Sequence, residues 1–593
     1  MRINRPRLVA GMCAIAGATL FAQGRNVGNE WPTSLGDAQR TNWMRSDPNI
    51  SVETLAKPGF ELQWKAALEG QRGMKPAVQG VTVNGVTLFT PLSIITSPNG
   101  VITIDNDTGT TFWYKSLGAA PAATAGCAAA PVAATRMADL VQPLPAGPRA
   151  GGPAGGGRAG YSSAVGNPGE GVPIPAGGRG GRGAAPPAAG APPAGAPPAG
   201  APPPQPAPPA AGAPAGAGQG GRGVLPAPGA APGAAPARGG GGGGFGRPSG
   251  VVYVISRDGL LHTVGLPSAK DIQKPAPLMP AGARATDPVA AGDMFYTSTT
   301  GKCGGTPDAV YAMDLSKDTK PVVSYKTTGS PVGALALTSD GTVVVVVTNG
   351  IVTLDAKTLA VKQSYSDANT TFVTGPLVFG QGGKDVIAAG TKDGRIVLID
   401  AATLAAPASA TKALTAPGAT FGSDALAFWQ EYTPGTPDPA AAVAAAQQAA
   451  AAAQGGGGRG AAAGPTVLMI PGQAWLLATT NNSVVAFKIA GAGGAPSLQP
   501  GWTSRTLSAP TTPVIVNNVV FAVSSGKPAA AAGAGTPAVL YALDGTTGKD
   551  LWNSGTTLKT FMPGRSLWTS NSQVYVGGND GGVYAFGFAL ERK

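Results

Sequence analysis

The chain has 593 residues and a formal net charge of +12, yet only 12% of its residues are charged, and its 91 glycines and 57 prolines crowd into two stretches. Arg2, Arg5 and Arg7, together with seven arginines against Glu170 between Pro143 and Pro248, carry most of the excess charge. The rest, roughly 430 residues of ordinary apolar content, is nearly neutral: enough for one large all-β array, with no basic groove to bind nucleic acid.

At the N-terminus the three arginines precede an apolar run, Leu8–Phe21, followed by Ala22-Gln23. Charged region, apolar region and small residue in that order predict a signal peptide over residues 1–22. The run is short for a spanning helix, so no transmembrane span is expected after cleavage. Cys13 follows Met12, which argues against lipoprotein processing. The expected location is the periplasm, the outer membrane's surface or the medium. Cys127 and Cys303 are then an even pair in an oxidising compartment, and a disulfide between them is expected. The sole histidine, His262, falls on a predicted strand and reads as a packed strand residue. A Ser-His-Asp triad or a multi-histidine metal site would have to be built around it alone.

Past the signal, Phe60–Lys65 reads as a strand, and a series of Val/Ile/Tyr-rich runs follows, each led by a Gly or Asn turn. Two phrases stand out. Ile104–Trp113 and Leu543–Trp552 share Asp, Thr, Gly and Trp at the same offsets: Asp105, Thr108, Gly109, Trp113 and Asp544, Thr547, Gly548, Trp552. Weaker copies end at positions 265, 314, 355, 400, 488 and 587. Once the two biased stretches are subtracted, every interval between these anchors is close to one four-stranded propeller blade. Eight blades are predicted, with seven as the alternative. The chain ends on inner strands, so Phe60–Lys65 is expected to supply the missing outer strand and close the ring.

The two stretches are inserts. Residues 143–248 are Pro/Gly/Ala/Arg-rich and cannot bury a core. Residues 433–465 contain Asp438-Pro439 and an Ala/Gln run to Gln454 before Gly455, the signals of a lone solvated helix. The propeller is therefore expected in residues 23–142, 249–432 and 466–593.

The Asp-x-x-Thr-Gly-x-x-x-Trp phrase resembles the repeat of pyrroloquinoline-quinone (PQQ) propellers. In that family the Asp and Thr-Gly form the turn between third and fourth strands, and the Trp docks between blades. The leading segment, Glu30-Trp31-Pro-Thr-Ser-Leu-Gly36-Asp-Ala-Gln-Arg40 with Ile50, Leu55 and Trp64, resembles that of quinoprotein dehydrogenases and of exported PQQ-like repeat proteins. The resemblance implies the fold more than an activity, because the repeat serves the scaffold. The adjacent cysteines and haem domain common among alcohol-oxidising members are absent from the sequence. PQQ chemistry would require a calcium ion held by acidic and amide side chains. Asp105, Asp314, Asp355, Asp400 and Asp544 already occupy turns; Glu53, Glu61, Asp293, Asp308, Asp424 and Glu431 have no assigned place and read as surface or turn residues.

No catalytic residue, metal ligand or cofactor contact is assigned from sequence. The favoured expectation is a non-catalytic, monomeric scaffold of the cell envelope that binds another protein, as the propeller subunit of the outer-membrane β-barrel assembly machinery does. The alternatives are a PQQ/calcium-dependent dehydrogenase of an alcohol or sugar, and a surface- or polymer-binding protein.

Overall fold

The computed structural model describes residues 31–68, 80–83, 91–97, 99–118, 127, 133–138, 250–266, 268–405, 410–412, 414, 420–434, 469–491, 495–528 and 535–589. The expected signal peptide, the insert 143–248 and the helix at Asp438–Gln454 lie outside them. Among the described residues the strands form eight antiparallel sheets of four, and two sheets gain a short parallel fifth strand. Seven sheets are consecutive in sequence. Blade 1 begins at Val81–Val83, blade 2 at Ala133–Thr135, blade 3 at Val289–Ala291 and blade 4 at Ala336–Leu337. Blades 5, 6 and 7 begin at Leu377–Gln381, Ala427–Pro434 and Val514–Val516. Blade 8 takes three strands from Leu567 to Phe588 and its outer strand from Phe60–Ala67, which pairs antiparallel with Gly582–Phe588. Joining the two ends of the ring removes the exposed edges that an open array would present. The blade 6 first strand runs to Pro434, two residues into the stretch that composition assigns to the second insert.

Strands buried on both faces need continuous apolar side chains rather than alternation. Val343–Val347, five valines all buried, is the extreme case. The core is correspondingly divided seam by seam. One cluster joins blades 1 and 2 (Ile94, Val101, Val252, Val264), another blades 3 and 4 (Val310, Leu335, Val345, Leu354), and the largest runs through blades 7, 8 and 1 (Phe521, Trp568, Tyr584, Ile102).

The repeat phrase is a turn brace. Asp105 Oδ1 accepts the amides of Asp107 and Thr108 at 2.8 and 3.1 Å, and Asp544 Oδ1 those of Thr546 and Thr547 at 2.8 and 2.9 Å. The amides of Gly109 and Gly548 close the turns on the carbonyls of Asp105 and Asp544. The tryptophans work across blades. Trp64, Trp113 and Trp502 each donate the indole N–H to the next blade, reaching the carbonyls of Asn106, Leu266 and Gly545 at 2.7, 2.5 and 2.8 Å. The motif is thus completed by two blades: the ring over Gly109 is Trp64, and the ring over Gly548 is Trp502. Trp552 packs edge-on against Phe60 of blade 8 at 4.9 Å.

Both glycines have positive φ (72° and 70°), and an added Cβ would stand 2.5 Å from the indole. Where the preceding outer strand lacks a tryptophan, Leu359 and Leu404 hold the same left-handed position with φ of 56° and 45°. Their buried side chains sit in the seam clusters that Tyr325 and Tyr365 pack against. A leucine there costs about 1–2 kcal/mol of backbone strain, which burial worth about 2 kcal/mol offsets.

Candidate functional site

The leading segment threads the ring. Trp31 and Thr82 of blade 1 exchange hydrogen bonds (2.7 and 2.9 Å), and the Arg136 amide of blade 2 reaches Pro32 O at 2.7 Å. Thr33 Oγ1 donates to Pro288 O, at the start of blade 3. The amides of Leu337, Val378, Phe428 and Ile515 in blades 4 to 7 then donate to the carbonyls of Ala38, Gln39, Thr41 and Asn42 at 2.8–3.0 Å. In blade 8 the Ser572 amide donates to Asp47 Oδ2 at 3.0 Å. Residues 31–50 therefore touch every blade in turn, on or beside its first strand, and occupy the channel that those strands line. Trp31, Leu35, Arg40, Asn42, Trp43 and Ile50 are all buried. Leu35, Arg40 and Asn42 have positive φ (65°, 64°, 55°), a strained backbone that persists only where its surroundings determine it. Asp37 ties the segment to itself, accepting from the amides of Gln39 and Thr41 and from Arg45 Nη2. The segment leaves past Asn517 and Ser572, in the hairpins after the first strands of blades 7 and 8.

At the opposite face, the loops that lead into first strands converge on a charge cluster. Arg40 Nε donates to Leu335 O at 2.7 Å, Nη1 to Thr33 Oγ1 and Ser34 O, and Nη2 to the carbonyls of Asp287 and Pro288 at 3.0 and 3.1 Å. Burial pushes its pKa down to about 10, with Asp287 opposing the shift. Arg565 Nη2 donates to Asp287 Oδ2 at 2.7 Å, and its Nε stands 3.5 Å from Asp424 Oδ1. Burial alone would lower the Arg565 pKa, but Asp287 and then Asp424 outweigh it and raise it. Asp287, Leu335, Asp424 and Arg565 precede blades 3, 4, 6 and 8. A contact between loops that far apart in the ring has to lie at its axis. The Asp424 side chain is 46% exposed, the most open of the two ion pairs. Ser423 and Thr512, from the loops before blades 6 and 7, touch hydroxyl to hydroxyl beside it.

The other sequence candidates have structural places. A disulfide joins Cys127, on the segment between blades 1 and 2, to Cys303 in blade 3, with Cα atoms 5.7 Å apart. His262 Nε2 lies 3.1 Å from Ser256 Oγ and Nδ1 3.2 Å from Asp271 Oδ1, the residue types of an acyl-transfer triad. Ser256 is 2% exposed, however, and its hydroxyl meets Asp258 and Leu260 O across a hairpin. Thr391 does the same with Asp393 and Arg395 O, so the serine is a turn brace. Glu53 lies in the first turn of a short helix, Val52–Leu55, while Glu61 and Asp293 are exposed. Asp308 is buried, and Glu431 Oε1 accepts Trp475 Nε1 at 2.9 Å. Only Asp424 of the six unplaced acids reaches the axis. Arg40, Asp287 and Arg565 carried no sequence signal as a group, because three separate blades and the leading segment supply the cluster.

The axial carboxylates do not fit a quinone-bridging calcium ion. Both Asp287 and Asp424 face Arg565, and among the described residues no three His, Cys, Asp or Glu side chains converge in a metal-ligating group.

Strand order and ring closure define the chain as an eight-bladed β-propeller whose leading segment runs from blade to blade along the channel. No family profile matches the sequence, and no curated protein does. Among solved structures it is similar to a quinohemoprotein alcohol dehydrogenase from Comamonas testosteroni, with 12% identity, a TM-score of 0.46 and coverage of 97% of this chain and 83% of that one. It is similar also to BamB from Moraxella catarrhalis (15% identity, TM-score 0.33, 57% of this chain and 94% of that one). A third likeness is to Sqt1 from Saccharomyces cerevisiae (11% identity, TM-score 0.39, 57% and 82%). At these scores none bears on function; the eight-bladed assignment rests on the chain's own strands.

Proposed function

We propose that the chain is an exported, non-catalytic binding propeller of the cell envelope, presenting the loop face around Asp424 and Arg565 to a protein partner. The threaded channel carries this reading: residues 31–50 bond to every blade along it, and the partly exposed Asp424 beside Arg565 is the charged surface that the axial loops present for recognition. The ion pairs of Asp287 and Asp424 with Arg565 support recognition, since they hold a charged, partly exposed pair at the axis for a complementary partner. The N-terminal pattern and the disulfide support export. The competing reading is a PQQ-dependent dehydrogenase. Titration of the whole protein with PQQ and Ca²⁺ separates the two. No saturable change in quinone absorbance and no dye reduction with alcohols or aldoses are expected. Saturable binding accompanied by dye reduction would replace the scaffold with an oxidoreductase. A partner captured from periplasm should survive deletion of residues 143–248 and be lost on Asp424→Arg; retention by that variant would move the interface off the axis.

A further inference from the structure

A concave site lies off the axis, between blades 3 and 4. The loop joining the second and third strands of blade 3 and the loop leading into blade 4 enclose an open groove of about 770 Å³. Lys302, Lys326, Thr328, Ser330 and Thr348 face it. Its one carboxylate, Asp308, is turned into the wall: Oδ1 accepts the Lys302 amide and Oδ2 the Ser330 hydroxyl, both at 2.7 Å. Lys302 and Lys326 are exposed, and neither ammonium meets an acceptor among the described residues. The groove therefore carries two ammonium groups against one carboxylate, beside the exposed threonines Thr328 and Thr348.

Its walls are fixed. Gly301, Lys302, Gly304 and Gly305 all have positive φ, and a lysine held at 52° is costly backbone that loose loops do not keep. An added Cβ at Gly304 would stand 2.8 Å from Ala281 O, so the loop packs backbone to backbone on its neighbour. Cys303, next to Lys302, is tied covalently to Cys127. A hydroxyl-lined trough with two cations, whose one acid already has its oxygens turned to wall donors, is suited to an oxyanion on a hydroxyl-rich chain.

We propose that this groove binds an acidic glycan, with Lys302 and Lys326 on successive uronate carboxylates and Thr328 and Thr348 on sugar hydroxyls. The site is independent of the axial face and would attach the propeller to an anionic surface polymer while the axis engages its partner. The test is calorimetric titration of the full chain with tetragalacturonate, maltotetraose and inorganic phosphate. Tetragalacturonate should bind saturably and more weakly as salt rises, and maltotetraose should not bind. The double variant Lys302→Ala/Lys326→Ala should lose about tenfold or more in affinity, whereas Lys326→Arg should keep it. Joint replacement of Cys127 and Cys303 by serine should weaken binding while the ring still melts cooperatively. Equal affinity of the double lysine variant, binding of the neutral tetramer, or no binding at about 10 mM tetragalacturonate would overturn the site. Phosphate binding as tightly as the tetramer would reduce it to a simple anion seat and overturn the glycan assignment. Circular dichroism of each variant checks that the ring is intact.

Discussion

Replacing Arg40 by alanine would loosen the leading segment without altering any blade strand. The guanidinium supplies five hydrogen bonds, four of them to carbonyls of Ser34, Asp287, Pro288 and Leu335 that no strand partner replaces. Charge-assisted bonds each contribute about 1.5–3 kcal/mol, but water entering the vacated space recovers part of that. Asp287 keeps Arg565, so no carboxylate is left alone. A net loss of about 3–5 kcal/mol follows. At about 2.1 cal/mol/K per residue, a ring of roughly 400 residues has an unfolding entropy near 0.85 kcal/mol/K, so Tm should fall by about 4–6 °C. Calorimetry measures that fall, and hydrogen exchange locates it: the amides of Leu337, Val378, Phe428 and Ile515, which donate to the segment, should exchange faster than interior blade amides. Arg40→Lys keeps the charge but not the fork, and should lie between the two. A Tm within about one degree of wild type, with the four amides unchanged, would refute the view that the segment is integral to the ring.

Gly548→Ala forces a Cβ to within 2.5 Å of the Trp502 ring at a φ of 70°. Strain and displacement of the indole from Gly545 O together should cost about 2–4 kcal/mol, read as a lower denaturation midpoint and a shift in tryptophan fluorescence; wild-type stability would break the proposed cross-blade pairing. The ring closure should also respond to acid. Burial raises the Asp580 pKa, but its hydrogen bonds to Lys65 and Tyr584 outweigh burial and hold it below 3.8. The folded value is depressed, so the contribution of this pair is complete above pH 3.8 and is lost as pH falls through the folded value. Exchange of the Leu68 amide, bonded to Gly581 O, should quicken over that window and lose the response in Asp580→Asn.

Much of the ring was legible in the chain itself. Turn chemistry is local, so Asp105 and Asp544 announced their braces, and the anchor spacing gave the blade count. The strand Phe60–Lys65 could be matched to the last blade because a sheet with an unpaired edge needs a partner. The pairing of Trp64 with Gly109, by contrast, could not be read: Trp113 stands nearer in sequence, and only blade-to-blade packing decides which indole covers which turn. The copies at 355 and 400 read only as weaker repeats, yet their Leu359 and Leu404 take the glycine's left-handed position and bury in the seam clusters. The leading segment showed its residues but not its path, since a strained loop through a channel has no periodicity. Asp424 was one unplaced acid among six. It reached Arg565 and the axis only when ring closure brought loops from distant blades together, and short-range patterns carry no record of that convergence.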